Sequence, residues 1–203
     1  IFEFNIKTKE KKLVKEQIIP SGHNRDDYIV ERLECKGHDG YLIPMTITRH
    51  RTTKLDGNAN VLLYGYGSYG MSMYPTFSSS RLSLINRQII WVTCHIRGGL
   101  EKGMAHWKAG KMLNKKNTFK DFISCAEYLI EKKYTNKKKI IAYGGSAGGL
   151  LVGNVVNQIP DLLLGAILAV PFVDNLTTNM DHSLPLTKGE LLEFGDAKGF
   201  KDH

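Results

Sequence analysis

The 203-residue chain lacks several features that would assign it to a class at once. No apolar run approaches the ~20 residues a helix needs to cross a bilayer, so no membrane partner is expected. Its three cysteines, Cys35, Cys94 and Cys125, are odd in number and none forms a C-x-x-C pair. Each lies in an apolar stretch, which argues against disulfides or zinc ligation and for buried thiols in a reducing, cytoplasmic setting. No signal-peptide pattern opens the chain, but its first residue is Ile1 rather than methionine, which leaves room for a missing start. Acidic charge is in deficit: 28 Lys and Arg against 20 Asp and Glu give a formal charge of +8. The excess sits in residues 7–15, 108–120 and 132–139, without the aromatic or glycine interleaving of a nucleic-acid surface. These runs read as solvated faces, and no nucleic-acid partner is expected. A hydrophobic content of 42% is that of an ordinary globular protein with a sizeable core.

What is present centres on Ile140-Ile141-Ala142-Tyr143-Gly144-Gly145-Ser146-Ala147-Gly148-Gly149-Leu150. Four apolar, β-prone residues run into a glycine turn with one serine at its apex, and residues 150–156 then read as a buried helix. Gly144-Gly145-Ser146-Ala147-Gly148 fits G-x-S-x-G, the nucleophile elbow. Small residues two before and two after the serine are needed there, because larger ones would collide with strand and helix. Ser146 is thereby a candidate nucleophile, and the Ala147 amide, at the helix N-terminus, a candidate oxyanion donor. A turn whose serine only caps the helix is the plainer alternative; the flanking strand and helix favour the elbow.

Residues 1–13 read as a strand and turn with no partner in view, the tail of an all-β unit, and 20–27 as a linker. Runs 28–35 and 41–49, joined through His38-Asp39-Gly40, predict a hairpin. Residues 60–64 have no polar face and predict a central strand covered on both sides. They lead into Gly65-Tyr66-Gly67-Ser68-Tyr69-Gly70, which matches G-x-G-x-x-G. No helix opens behind it, and the next strand, 89–96, ends in His95 and Arg97 rather than an acid for a ribose, so a dinucleotide site is disfavoured. Such a loop at a sheet edge can instead present a tyrosine hydroxyl. A helix is predicted at 80–87, another capped by Thr118 with Asp121 three residues on, and a last strand at 165–170. The final thirty or so residues show no regular pattern. This order predicts the N-terminal two thirds of an α/β-hydrolase sheet.

In that fold the partners of the serine follow on loops after later strands. The acids and histidines after Ser146 are Asp161, Asp174, Asp181, Glu190, Glu193, Asp196, Asp202, His182 and His203. An Asp174–His182 pair comes too early for the fold, so a catalytic Asp and His are expected beyond residue 203. A serine without a base is a weak nucleophile, and the chain's activity alone is in question.

Six motifs, taken together, resemble the prolyl oligopeptidase family of serine peptidases, and within it the oligopeptidase B group. They are Tyr64-Gly65-Tyr66-Gly67-Ser68-Tyr69-Gly70, Ser80-Arg81-Leu82-Ser83-Leu84, His95-Ile96-Arg97-Gly98-Gly99, Lys115-Lys116-Asn117-Thr118-Phe119, the elbow with Gly149, and Val170-Pro171-Phe172-Val173-Asp174. The resemblance implies a truncated catalytic domain over 21–203, preceded in 1–20 by the last strand of a β-propeller that gates short peptides. It implies Ser146 as nucleophile and an oxyanion hole of Ala147 and Tyr66. It places recognition of the Arg or Lys before the scissile bond on Glu190. The group's second acid falls on Leu192, with Glu193 beside it as a further substrate-binding candidate, and paired acids of some members fall on Tyr74 and Thr76. It implies no metal and no organic cofactor, short basic peptides as substrates, and a separate C-terminal portion carrying Asp and His. A general ester hydrolase and an inert remnant with an open sheet edge are the rival readings.

Overall fold

The structure is a computed structural model that describes residues 1–197; Asp202 and His203 lie outside the described residues. Strands β3 (Tyr28–Lys36) and β4 (Leu42–His50) form the hairpin predicted through Asp39-Gly40. They join β5 (Val61–Tyr64), β6 (Ile90–Cys94), β7 (Ile140–Gly145) and β8 (Leu163–Ala169) in a six-stranded sheet of order β3-β4-β6-β5-β7-β8. The hairpin and its contact with β6 are antiparallel; β6, β5, β7 and β8 run parallel. β5 lies between β6 and β7, where a strand without a polar face belongs, because both its faces are shielded from water.

One face of the sheet holds the main core. Phe119, Phe122, Cys125, Ala126 and Leu129 of α3 (Lys116–Glu131) and Leu151, Val152 and Val155 of α4 (Ala147–Gln158) pack on Val61, Leu63, Val92, Ile140 and Ala142. The three cysteines are buried free thiols. The other face carries a smaller cluster of Leu62, Trp91 and Ile85, the last from α1 (Ser79–Ile85). Beside α1 this face opens into a cleft of about 720 Å³ lined by Tyr64, Tyr143, Trp91 and Arg81.

The structure corrects three expectations. The first strand has a partner: β1 (Phe2–Phe4) pairs antiparallel with β2 (Lys11–Leu13), a stretch too short and too lysine-rich to read as a strand. Thr118 does not cap α3, which begins two residues earlier. Its hydroxyl reaches the Arg97 carbonyl at 2.8 Å, and Asp121 accepts from Arg97 instead of closing a capping box. The C-terminal part is also helical, with α5 (Asn175–Met180) and α6 (Thr187–Phe194). Leu176, Leu186 and Leu192 there are exposed, so no apolar stripe marked the helices in advance. A further short helix, α2 (Met104–Lys108), follows β6. Among the described residues no helix is long and apolar enough to cross a membrane.

Candidate active site

The C-terminal ends of β5 and β7 bring the site together. At the end of β7, Ser146 has φ 54° and ψ −119°, a backbone conformation that L residues rarely adopt, and its side chain is exposed. The glycines make this turn possible. A Cβ on Gly144 would collide with the Gly148 carbonyl, and one on Gly148 would lie 2.7 Å from the Gly65 carbonyl. Gly145 is different, since a Cβ there would meet only ordinary contacts, the nearest at 3.4 Å from the Ala169 carbonyl. Backbone bonds hold the serine from both sides: its N–H donates to Ala169 at 2.9 Å, and its carbonyl accepts from Phe172 at 3.0 Å. The Ala147 amide opens α4 and has no acceptor among the described residues, so it is free to donate to a ligand.

The loop after β5 supplies the tyrosines. Burial raises the pKa of the half-buried Tyr66 hydroxyl, hydrogen bonding with the adjacent Ser146 side chain pulls the other way, and the charges of Glu190 and Glu193 push it up again. Tyr66 therefore stays protonated as a donor beside the serine. Tyr69 donates its hydroxyl to Glu190 Oε2 at 2.8 Å; burial first and this bond second raise its pKa. The ring of Phe194 meets Tyr69 and Phe172 edge-on, with centroids 6.0 and 5.9 Å away, so an aromatic cluster adjoins the Tyr69–Glu190 bond. No helix follows the glycine loop directly, and its Gly67 carbonyl lies so close to Gly98 that a Cβ there would clash. The glycines of G-x-G-x-x-G let two loops pack together instead of cradling a phosphate.

Of the carboxylates expected at the site, Glu190 is half-buried beside the aromatic rings, whereas Glu193 points inward. One oxygen of Glu193 accepts from Lys115 Nζ at 3.1 Å and the other from Trp107 Nε1 at 3.0 Å. Both oxygens bond within the protein and the residue is 1% exposed, so Glu193 is an internal partner of Lys115 and Trp107 rather than an open carboxylate. Asp174 caps α5 by accepting from the Thr177 amide at 3.2 Å, and does not pair with His182. Among the described residues Ser146 has no histidine partner. Tyr69, Phe172, Phe194, Lys115 and Trp107 were not singled out one by one from the sequence; only the helical spacing of 190, 193 and 194 links them, and that needs α6 to be known. Among the described residues no cluster of His, Cys, Asp or Glu is placed to hold a metal ion.

Residues 75–202, more than half of the chain, match the Prolyl oligopeptidase family. The chain belongs to the prolyl oligopeptidase family. Curated relatives include the dipeptidyl aminopeptidase BI of Pseudoxanthomonas mexicana, 42% identical over all of this chain and 28% of its own length. Protease 2 of Moraxella lacunata is 42% identical over all of this chain and 29% of its own length. Oligopeptidase B from Leishmania major superposes with a TM-score of 0.91 at 41% identity, covering 96% of this chain and 27% of its own. Oligopeptidase B from Trypanosoma brucei, solved in a closed form with covalently bound antipain, gives 0.91 at 40% identity over 96% and 28%. These prolyl oligopeptidase relatives establish the α/β-hydrolase fold for the chain, as the elbow predicted. The chain spans under a third of the length of the relatives it matches.

Proposed function

We propose that this chain is the nucleophile-bearing part of a serine oligopeptidase that cleaves short peptides after Arg or Lys. The observation that carries the reading is the juxtaposition at one sheet edge of an exposed serine in a strained turn, a free amide, a protonated tyrosine hydroxyl and a half-buried carboxylate. Ser146 Oγ attacks the scissile carbonyl, its proton leaves to a base, and the carbonyl oxygen becomes an oxyanion that Ala147 N–H and Tyr66 O–H can receive. The C–N bond then breaks to give an acyl-serine, the amine departs with a proton from the same base, and water releases the acid. Glu190 suits the residue before the cleaved bond. Tyr69 occupies Oε2, which leaves Oε1 for a charge-assisted bond to a guanidinium or ammonium beside the Tyr69 ring.

The base and its orienting acid belong, on this reading, to a further portion of polypeptide that completes the sheet beyond β8. Residues 1–20 then belong to a separate β unit, and the buried thiols fit a cytoplasmic protein. A second reading, that the chain by itself is catalytically silent, is favoured by the absence of a histidine partner for Ser146 among the described residues. Both readings leave the isolated chain silent, so hydrolysis of a fluorogenic arginyl amide is measured without and with the completing portion, with Ser146→Ala as control. Ser146-dependent turnover means that a base is present. None by the chain, but turnover once the completing portion is added, supports the first assignment. Turnover of simple esters with no preference for a basic side chain overturns it in favour of a general hydrolase.

A further inference from the structure

The motif Lys115-Lys116-Asn117-Thr118-Phe119 takes no part in the chemistry above, yet its first lysine is buried. Lys115 is 9% exposed, and its Nζ donates to the Gly67 carbonyl at 2.6 Å, Ser68 Oγ at 2.6 Å and Glu193 Oε1 at 3.1 Å. An ammonium has three protons, and all three have acceptors. Burial pulls the pKa of Lys115 down, and the Glu193 carboxylate opposes that. Glu193, 1% exposed, is completed by Trp107. Gly67 and Ser68 lie between Tyr66 and Tyr69, and Glu193 stands one turn after Glu190 on α6, so both ends of this pair adjoin the site. The bond from Tyr69 to Glu190 closes the circuit. Apart from the Phe194 ring at its end, apolar packing does little to hold α6 in place: it is eight residues long, lies mainly against α5 and the turn Met112–Asn114, and exposes Leu192.

We infer that Lys115 is a positioning residue, which through Glu193 fixes α6 and through Gly67 and Ser68 fixes the tyrosine loop, holding Glu190 at a set distance from Tyr66 and Ser146. The inference rests on the reading of Glu190 as the group that recognises a basic side chain. A buried ion pair is a weak source of net stability, because desolvation offsets the attraction. It does restrict geometry, since a buried charge pulled away from its partner is left uncompensated at high cost.

The test is binding of benzamidine, a planar amidinium, to the ¹⁵N-labelled chain by NMR, with the Trp107 indole N–H reporting its bond to Glu193. Lys115→Met is expected to shift the indole signal and weaken benzamidine roughly tenfold, and to change it by less than about twofold in the Glu190→Gln background. Equal losses in both backgrounds overturn the positioning role, because they mean general loosening. If Lys115→Met does not fold, Glu193→Gln takes its place with the same expected pattern. Benzamidine affinity unchanged in either variant overturns the inference and leaves the role of Glu190 standing. No binding by the parent chain, or none lost in Glu190→Gln, overturns the role of Glu190 itself.

Discussion

Ser146 can adopt its strained conformation because two residues near it have no side chain, and the two glycines on its N-terminal side are not equivalent. Gly144→Ala or Gly148→Ala drives a Cβ into backbone that cannot move away, and is expected to destabilise the fold by about 1–3 kcal/mol. Gly145→Ala, with its nearest contact at 3.4 Å, is expected to stay within about 0.5 kcal/mol. Urea midpoints of the three variants check the contrast, and equal losses at 144 and 145 would refute the steric account. On the proposed mechanism, Tyr66→Phe removes one of two oxyanion donors while keeping the ring. In the catalytically complete protein it should lower kcat about 10²-fold with little change in KM, since the bond strengthens only as charge develops. Ser146 and the glycine requirement were legible in the sequence because they depend on neighbours within a few residues. The inward turn of Glu193 was not, because it depends on Lys115 and Trp107, which are far away along the chain.

Among the elements, one buried guanidinium ties the turn of the β3–β4 hairpin to α3. Arg97 is bonded to Asp121 of α3 at 2.6 and 2.9 Å, and reaches Asp39 in the hairpin turn at 2.6 Å. Hydrogen bonding from Arg97 holds the Asp39 carboxyl down at about 2, against an ordinary 3.8. A folded-state pKa below the unfolded one means that ionised Asp39 supports the fold at every pH above about 3.8. That support fades as pH falls toward about 2. Asp39→Asn should therefore flatten the stability-against-pH curve in this window and lower it by a constant amount at higher pH, as read by thermal melts across a pH series. Asp-Gly announced the hairpin, yet the anchoring of its turn was invisible, because Arg97 lies 58 positions further along. The same partner drew Asp121 away from the capping role that its spacing to Thr118 suggested. Local rules fail here because a buried guanidinium must be satisfied, and a solvent-exposed cap need not be.

For the whole molecule, the informative feature is what the sheet leaves uncovered. β8 is an edge strand made of apolar residues and glycine, with Leu164 at 57% and Ile167 at 46% exposure, and the Tyr64–Trp91–Tyr143 face opens into a cleft. An edge of this composition offers unpaired backbone groups and no charge to keep another chain away. The chain alone is expected to self-associate despite its formal charge of +8, and Ile167→Lys to shift it toward monomer. Light scattering coupled to gel filtration reads both outcomes; a monodisperse parent chain would remove the case for an edge that awaits further strands.

The sequence by itself determined the fold class, the succession of strands from the hairpin onward and the elbow that presents Ser146. Each of these rests on periodicity, on glycine and on contacts between near neighbours, which the order of residues states directly. Only the tertiary structure decided which carboxylate faces the site and which is an internal partner, what Thr118 and Asp121 bind, and that the last part of the chain is helical. Those outcomes depend on which distant polar groups are buried together, and a buried charge takes whatever partner the fold brings within about 3 Å, however far away it lies in the chain.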